Sequence, residues 1–318
     1  MIKAGIIGAA GYTGGELLRL LIFHEGVNIL FAQSNSQAGK YIYEIHTDLL
    51  GETNLKFTKE IHPEIDVLFL CMGHGEAISF LKSNFLTSNL KIIDLSQDFR
   101  WKEDFIYGLP ELQRDKIRMA DKIANPGCFA TCIQLGLLPL ASEKLLSKDI
   151  HINAITGATG AGKSYSETSH FSWRANNYST YKAFEHQHLF EIGQSILSLQ
   201  NDFNASLNFV PSRGNFTRGI FASIYMECDI KLEQAYEIYE SFYKDHPFVK
   251  ISTTPINLKQ VINTNKCLIH LEKHKNQLLL TSIIDNLLKG ASGQAVQNMN
   301  LMFGLNETQG LKLKASAF

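Results

Sequence analysis

A glycine-rich turn joins the first predicted strand to the first predicted helix. Residues 2–7 form a short apolar run, and Gly8, Gly11 and Gly14 follow it before a leucine-rich helical segment. Glycines at such a junction let the backbone approach a pyrophosphate group, which the N-terminus of the helix can bind. Because the spacing is GxxGxxG rather than GxGxxG, a plain tight turn remains an alternative. The motif predicts a cofactor site formed by Gly8, Gly11, Tyr12, Thr13 and Gly14.

Strands and helices alternate through the first half of the chain. Three further apolar runs are typical of strands, at 27–33, 67–71 and 91–95. The alternation predicts a parallel sheet covered on both faces, that is, a doubly wound α/β domain of the Rossmann type. Ligands of such sheets bind beyond the carboxyl ends of the strands. Two strands are followed there by the turn Gly73-His74-Gly75 and by Ser96, and we predict Gly73 and Ser96 as cofactor residues.

The end of the second predicted strand indicates which nicotinamide cofactor binds. An NAD site usually carries an acidic residue there, which holds the ribose 2′-hydroxyl. This chain has Ser34 and Ser36 at that point and Lys40 close behind, with no acidic residue among them. Hydroxyl groups and a cation suit a 2′-phosphate, so the sequence favours NADP over NAD.

The second half has longer polar loops and strands that look antiparallel. The predicted strands lie at 151–156, 205–210, 219–228, 266–271 and 277–284, and the predicted helices at 233–243 and 292–303. This pattern predicts an α+β catalytic or dimerisation domain with a mixed or antiparallel sheet. We expect residues 1–127 to form the NADP-binding domain, completed by a returning C-terminal helical segment at 291–318, and residues 128–290 to form the catalytic domain.

Cys128 stands at a junction between a turn and an apolar helix. Pro126 and Gly127 are turn residues, and 129–140 is predicted to be a helix closed by Pro139. In the first turn of a helix, unpaired N–H groups and the helix dipole lower the pKa of a thiol and favour the thiolate. Cys128 is therefore a candidate nucleophile, with a small buried core cysteine as the alternative.

A pair of histidines supplies a candidate acid–base. His186 and His188 lie just before a predicted helix at 189–199, and a histidine near a thiolate can transfer protons. A structural histidine is the alternative for either residue. We predict no metal site, because no carboxylate or cysteine stands at ligand spacing from the pair.

The segment 157–164, Gly-Ala-Thr-Gly-Ala-Gly-Lys-Ser, matches the phosphate-binding loop pattern GxxxxGKS and follows a predicted strand. A P-loop kinase is therefore an alternative. Against it, a complete nucleotide-type half precedes the motif, no later strand ends in a clear magnesium-binding aspartate, and the segment after Ser164 is polar with no helix start. We interpret the motif as a glycine-rich turn near an active site.

Composition excludes several classes of protein. The net charge of −1 offers no basic surface for nucleic acid, and no apolar run approaches the roughly 20 residues of a membrane span. Five cysteines at irregular spacing, without a CxxC pair, argue against a disulfide framework. With no signal-peptide pattern at the N-terminus, we expect a cytoplasmic protein.

Six segments together resemble the N-acetyl-γ-glutamyl-phosphate reductase (N-acetylglutamate semialdehyde dehydrogenase) family, which is related to aspartate-semialdehyde dehydrogenase. They occur in the family's order and span nearly the whole chain, at 8–14, 93–100, 107–111, 125–131, 186–188 and 285–295. The resemblance implies NADPH-dependent reductive dephosphorylation of an acylglutamyl phosphate to the semialdehyde, in arginine biosynthesis, by a homodimer or homotetramer. Alternatives are an enzyme for another acyl phosphate, such as aspartyl phosphate, and a non-catalytic NADP-binding regulator.

The resemblance also implies roles for single residues. Cys128 would form a thioester, His188 or His186 would be the acid–base, and Arg100 would bind phosphate. Further substrate or phosphate ligands would be Asn125, Gly160, Lys163 and Arg218, while Gly290 and Asn298 would approach the nicotinamide. The sequence departs from the family pattern at Cys132, Gln187, Lys163 and 211–218. These departures leave the acyl group open between acetyl, succinyl and a carrier-linked group.

Overall fold

The computed structural model describes residues 1–73, 75–84 and 89–316; His74, in the predicted turn Gly73-His74-Gly75, lies outside the described residues. The chain divides into two units. The first contains Met1–Pro126 and Ala291–Lys312, and the second contains Gly127–Gly290 and the described residues from Leu313 onward.

Within the described residues, the first unit contains one sheet of seven parallel strands. Its elements in chain order are β1 (Ile2–Ile7), α1 (Tyr12–Ile22), β2 (Val27–Gln33), β3 (Phe57–Thr58), β4 (Val67–Leu70), α2 (Glu76–Ser83), β5 (Lys91–Asp94), β6 (Ile106–Tyr107), α3 (Pro110–Arg118) and β7 (Lys122–Ala124). The strand order is β3-β2-β1-β4-β5-β7-β6. The order reverses between β1 and β4, where doubly wound sheets bind their ligands. The predicted parallel α/β fold is confirmed.

A buried carboxyl group ends β5. Asp94 is fully buried, and it accepts hydrogen bonds from the Ser96 hydroxyl at 2.7 Å and the Ser96 N–H at 3.1 Å. Burial raises the pKa of Asp94 from its ordinary value of 3.8 to about 6. The Ser96 hydrogen bonds and the Arg100 charge lower this pKa, but their effects are smaller than that of burial. The protonated carboxyl group is therefore favoured by folding.

This raised pKa predicts how stability depends on pH. The folded pKa of Asp94 exceeds the unfolded one, so its contribution to stability is fully present below its ordinary value of 3.8 and is lost as the pH rises through about 6. We expect Asp94→Asn to match the wild type near pH 4 and to exceed it by up to roughly 3 kcal/mol above pH 7. Urea unfolding across this range measures the difference, and a difference independent of pH would contradict the assignment.

The second unit, within the described residues, contains one mixed sheet of seven strands. Its elements in chain order are α4 (Cys128–Ser142), β8 (Ile150–Thr156), α5 (Phe171–Arg174), β9 (Ser179–Thr180), α6 (His188–Leu199), β10 (Leu207–Arg213), β11 (Ile220–Glu227), α7 (Leu232–Tyr243), β12 (Val249–Ser252), β13 (Cys267–His274) and β14 (Gln277–Ile284). The strand order is β12-β13-β14-β11-β8-β10-β9. Two pairs, β8 with β10 and β12 with β13, are parallel and the other pairs are antiparallel. The predicted α+β architecture is confirmed with a mixed sheet.

Pro139 lies inside α4, which corrects the prediction that it closes the helix. α4 continues to Ser142 and is almost entirely buried. Proline has no N–H to donate to the carbonyl four residues earlier, here that of Leu135. The Tyr243 hydroxyl donates to that carbonyl instead, and the Tyr239 hydroxyl donates to the carbonyl of Gly136. Two tyrosines of α7 therefore replace the bonding that the proline disrupts.

The returning C-terminal segment is shorter than the predicted 291–318. A π-helical turn at Leu288–Ser292 leads into α8 (Gly293–Met302), and the chain belongs to the first unit only as far as Lys312. Every residue of α8 is buried, including the polar residues Gln294, Gln297, Asn298 and Asn300. In the part of the chain that the structure describes, no helix is long and apolar enough to cross a membrane.

Candidate active site

The glycine-rich turn after β1 leaves room for a ligand only because its residues lack side chains. Gly8 has a φ of +75°, and a Cβ there would lie 2.4 Å from the carbonyl oxygen of Cys71. A Cβ at Gly14 would lie 2.6 Å from the Cα of Ala9. Gly11 precedes α1 without any side-chain hydrogen bond capping the helix. A close backbone approach and an uncapped helix N-terminus fit a pyrophosphate group.

The other predicted cofactor residues of the first unit differ in exposure. Ser36 and Lys40 are exposed and Ser34 is buried at the end of β2, in a segment without carboxylates that fits a 2′-phosphate. Gly73 is exposed beyond β4. Ser96 is buried, and its hydroxyl bonds Asp94 and the backbone N–H of residue 98. Ser96 therefore shapes the turn after β5, and its contact with the cofactor stays a prediction.

Arg100, the predicted phosphate ligand, is buried in the first unit. Its Nε donates to the carbonyl of Asn125 at 2.9 Å, and its Nη2 lies 3.4 Å from the carbonyl of Leu95. The guanidinium group thus joins the chain after β5 to the chain after β7, and it places a positive charge at the carboxyl ends of these strands. That position suits an anionic ligand.

The side chains of Asn125 and Asn298, two of the predicted ligand residues, form hydrogen bonds within the first unit. The Asn125 amide donates to the carbonyl of Ala291 at 3.0 Å and accepts from the Asn298 amide at 3.1 Å. The Asn298 amide also donates to the carbonyl of Gly108 at 2.9 Å. Both side chains are buried, so they hold α8 against the sheet. Their contacts with a substrate or nicotinamide stay predictions.

Cys128 is the first residue of α4, and side chains from α6 reach the same end of that helix. Cys128 is partly exposed, whereas Cys132 is buried. The Glu191 carboxylate accepts from the N–H of Gly127 at 3.0 Å, and His188 Nδ1 accepts from the N–H of Ala130 at 3.4 Å. The structure thus brings the predicted nucleophile and histidine to one helix terminus. Sequence analysis missed Glu191, although it follows His188 by three residues and lies on the same helical face.

The two histidines have different surroundings. His186 packs against Phe129 and Phe209, and burial with the nearby Lys182 charge lowers the pKa of His186 from 6.5 to about 4. His186 is therefore neutral at physiological pH, and its Nδ1 accepts from the N–H of His188 at 3.2 Å. His188 begins α6, one residue earlier than predicted, and its Nε2 lies 3.9 Å from a Glu191 oxygen. Because His188 contacts both Glu191 and the first turn of α4, it is better placed than His186 to act as the acid–base.

Gly290 lies against Cys128. A Cβ at Gly290 would stand 2.8 Å from the Cβ of Cys128 and 3.3 Å from its Cα. The N–H of Gly290 donates to the carbonyl of Asp285 at 2.9 Å, which holds this backbone in place. Gly290, which we predict to approach the nicotinamide, therefore also packs against Cys128, the predicted nucleophile.

This contact predicts that Gly290→Ala displaces the thiol. Because a misplacement of about 1 Å can cost roughly 100-fold in rate, we expect turnover to fall by about that factor. Gly193→Ala is the matched control, since a Cβ at Gly193 in α6 meets nothing within 4 Å. Turnover and the rate of Cys128 alkylation measure the effect. Equal activity in the two variants would contradict the close contact.

Five of the eight N–H groups in the loop that matches the P-loop pattern already donate to backbone carbonyls. The N–H groups of Gly157, Ala158 and Thr159 donate to backbone carbonyls within 216–219, at 2.8 to 3.1 Å. Those of Gly160 and Gly162 donate within the loop itself. A short 3₁₀ turn replaces the long helix of a P-loop, so the kinase alternative is wrong. Gly160 and Lys163 are exposed on this loop.

Arg218 forms an ion pair with a buried carboxylate. Its Nε and Nη2 donate to the two oxygens of Asp285 at 3.0 and 3.1 Å. Asp285 is fully buried and also accepts from the N–H groups of Asn263 and Leu287, both at 2.8 Å. The ion pair therefore holds the chain after β14 in position. The role of Arg218 as a substrate ligand stays a prediction.

Arg213 and Tyr181 were missed by the sequence analysis. The guanidinium carbon of Arg213 lies 4.8 Å from the centre of the Tyr181 ring. Burial, and then the charge of the Cys128 thiolate, raise the pKa of Tyr181 to about 12. Among the described residues, no cluster of three or more histidine, cysteine, aspartate or glutamate side chains could hold a metal ion.

Comparisons with known proteins agree with this arrangement. Residues 3–120 match the family model "Semialdehyde dehydrogenase, NAD binding domain", and residues 128–286 match "Semialdehyde dehydrogenase, dimerisation domain". Aspartate semialdehyde dehydrogenase II from Vibrio cholerae superposes with a TM-score of 0.76 at 17% identity, over 96% of this chain and 99% of that chain. The aspartate semialdehyde dehydrogenase with NADP from Candida albicans gives a TM-score of 0.69 at 15% identity, over 95% and 99%.

Curated relatives are much closer in sequence. A protein named N-acetyl-gamma-glutamyl-phosphate reductase from Flavobacterium johnsoniae is 60% identical over 325 residues, covering all of both chains. One of the same name from Phocaeicola vulgatus is 60% identical over 322 residues, again covering all of both chains. The chain therefore belongs to the N-acetyl-gamma-glutamyl-phosphate reductase family of semialdehyde dehydrogenases.

Proposed function

We propose that this chain reduces an N-acyl-γ-glutamyl phosphate to the corresponding glutamate 5-semialdehyde and inorganic phosphate, using NADPH, in arginine biosynthesis. The observation that carries the proposal is the common location of Cys128, His188 and Glu191 at the start of α4. Full-length relatives at 57 to 60% identity carry the name of this reaction. A partly exposed thiol with a histidine and a carboxylate beside it has the parts that a nucleophilic cysteine needs.

The first step forms a thioester. The Cys128 thiolate attacks the acyl carbon, a carbon–sulfur bond forms, and the carbon–oxygen bond to phosphate breaks, so inorganic phosphate leaves. The dipole of α4 favours the thiolate. His188 takes the thiol proton, and the Glu191 carboxylate stabilises the imidazolium that results. Arg100 supplies a positive charge that attracts the phosphate.

The second step is reduction of the thioester. When bound, the reduced nicotinamide supplies the hydride that the thioester carbonyl accepts. The N–H of Phe129 is a first-turn donor of α4 for which the described residues provide no acceptor, so it is placed to stabilise the resulting oxyanion. His188 returns its proton to that oxygen and so forms a hemithioacetal. As the hemithioacetal collapses, the carbon–sulfur bond breaks, the hydroxyl proton returns through His188 to the sulfur, and the aldehyde and the Cys128 thiol are released.

The remaining residues bind and position. Gly8, Gly11, Tyr12, Thr13 and Gly14 hold the pyrophosphate of the cofactor, and Ser34, Ser36 and Lys40 hold its 2′-phosphate. Gly73 lines the cofactor site, and Gly290 admits the nicotinamide beside the thiol. Gly160 and Lys163 on the exposed loop after β8 contact the substrate.

The protein acts as a homodimer or homotetramer in the cytoplasm. The second unit matches a dimerisation domain. Five large aromatic side chains, each at least 58% exposed, lie between residues 165 and 190, and they would be covered in an oligomer; they are Tyr165, Phe171, Tyr178, Phe184 and Phe190. The five cysteines are all free thiols, which suits a reducing compartment.

The reverse reaction tests the proposal. Purified protein is mixed with N-acetylglutamate semialdehyde or N-succinylglutamate semialdehyde, NADP and inorganic phosphate, and the absorbance of reduced nicotinamide is followed. We expect a rise that depends on phosphate with at least one of the two aldehydes. Aspartate semialdehyde is run in parallel. A rise with that aldehyde alone would support aspartyl phosphate as the substrate of the forward reaction. Binding of NADP without any rise would overturn the reductase in favour of the regulator.

A further inference from the structure

A cation and a phenol that the proposed mechanism does not use lie next to its reacting groups. Arg213 ends β10, where it pairs with Ser179 of β9, and its guanidinium group stacks on Tyr181 and hydrogen-bonds it. Tyr181 is anchored through its N–H to the carbonyl of Pro211 at 3.1 Å, and its ring lies 5.9 Å from that of His186. The charges of the Cys128 thiolate and of Arg213 both act on the pKa of the Tyr181 phenol.

Arg213 has no anionic partner within the described part of the chain. Among residues 1–73, 75–84 and 89–316, no carboxylate forms an ion pair with it, and its Nε is buried without a hydrogen-bond partner. An unpaired buried donor on a charged group is costly, so such a donor usually has a partner that is not part of the chain.

A second arginine, Arg174, hydrogen-bonds the backbone of Arg213. Arg174 donates from Nη1 to the backbone carbonyl of Arg213 at 2.7 Å, and from Nε and Nη2 to the carbonyl of Thr168. Burial, and then the charge of Arg213, lower the pKa of Arg174. Two adjacent guanidinium groups without a carboxylate repel each other, and an anion bound at Arg213 would relieve that repulsion.

We propose that Arg213 binds a carboxylate group of the substrate, with the Tyr181 hydroxyl as a second donor to the same group. This proposal rests on the proposed function. A guanidinium fork matches the two oxygens of a carboxylate, and the Tyr181 oxygen, which accepts from Arg213, keeps its own proton to donate. Two carboxylates have this chemistry: the α-carboxylate of the glutamyl part, and the free carboxylate of an N-succinyl group. The segment 211–218, which departs from the family pattern, contains Arg213.

Protection of Cys128 from alkylation tests the proposal without using reductase chemistry. The rate of iodoacetamide labelling is measured against the concentration of N-acetylglutamine, which carries only the α-carboxylate, or N-succinylglutamine, which carries both. We expect Arg213→Met to raise the half-protecting concentration by about 10- to 100-fold for the ligand whose carboxylate it binds. Tyr181→Phe should raise it by about 2- to 10-fold, as loss of a neutral hydrogen bond does.

The effects of Arg213→Met on the two ligands show which of the two carboxylates Arg213 binds. An equal increase for both ligands assigns Arg213 to the α-carboxylate, and an increase for N-succinylglutamine alone assigns it to the acyl carboxylate. Unchanged protection in Arg213→Met, or no protection of the wild type by either ligand, would overturn the proposal. Because this readout needs no turnover, its failure is distinguishable from failure of the reductase assay.

Steady-state kinetics and control variants complete the test. Arg213→Met should raise the KM for the semialdehyde and leave the KM for inorganic phosphate unchanged. A rise in the phosphate KM alone would make Arg213 a phosphate ligand and overturn the proposal. Arg213→Lys keeps the positive charge but not the forked pair of donors, so it should raise the half-protecting concentration less than Arg213→Met does. This variant tests the proposal if Arg213→Met does not fold. Arg118→Met, which removes an exposed arginine paired with Asp115 in the first unit, is the matched control.

Discussion

Replacement of Cys128 by alanine is expected to abolish turnover and to leave the fold intact. The thiol is the only group in the proposed mechanism that can form the thioester, and loss of a nucleophile costs on the order of 10⁴-fold or more. Cys128 is partly exposed at the first position of α4, so removal of its sulfur leaves no buried cavity. The reverse assay measures turnover, and circular dichroism with thermal unfolding measures the fold.

Cys228→Ala is the matched control for this prediction. Cys228 is a buried free cysteine at the end of β11, and the mechanism does not use it. We expect it to retain turnover within about twofold, with a modest loss of stability from the deleted sulfur. Substantial activity in Cys128→Ala would exclude a thioester on this residue.

Replacement of His188 by glutamine is expected to lower kcat by about 10²- to 10⁴-fold, the usual contribution of a general acid–base. Glutamine can still accept the hydrogen bond from the N–H of Ala130, so the start of α4 should keep its geometry. The rate of Cys128 alkylation near neutral pH should fall as well, because the thiol loses the group that takes its proton. Turnover and labelling are measured on the same preparation.

Two further histidine variants show whether the effect belongs to His188. His151→Gln changes a half-buried histidine on β8 that stacks on Tyr225, and it should leave turnover unchanged. His186→Gln should reduce turnover less than His188→Gln, because burial already keeps His186 neutral. A larger loss in His186→Gln than in His188→Gln would reverse the assignment.

Local patterns in the sequence were sufficient for the first unit. The alternation of apolar strands with helices, and the glycines after β1, depend on neighbours within a few residues, so the parallel sheet could be predicted. The start of α4 at Cys128 followed from turn residues beside an apolar run. His188 and Cys128 could be paired only through the family resemblance, because 60 residues separate them.

Predictions failed where the decisive partner is distant in the chain. The segment 157–164 matches the P-loop pattern, but the N–H groups of its first three residues bond carbonyls about 60 residues later. No local pattern indicates that Arg218 pairs with Asp285, 67 residues away. Arg213 and Tyr181 meet only through the pairing of β9 with β10, and no local pattern indicates that register.

The hydrogen bonds that Tyr239 and Tyr243 donate to α4 have a consequence for the order in which the chain folds. The carbonyls of Leu135 and Gly136 obtain their donors from residues 108 and 103 positions later. Until α7 has been synthesised and has docked, the Leu135 carbonyl, which Pro139 deprives of its helical donor, can be hydrogen-bonded only by water. Nascent chains that stop before Tyr243 thus carry the nucleophile on an incomplete helix. During translation, the reactive thiol matures only after the ribosome has passed most of the second unit.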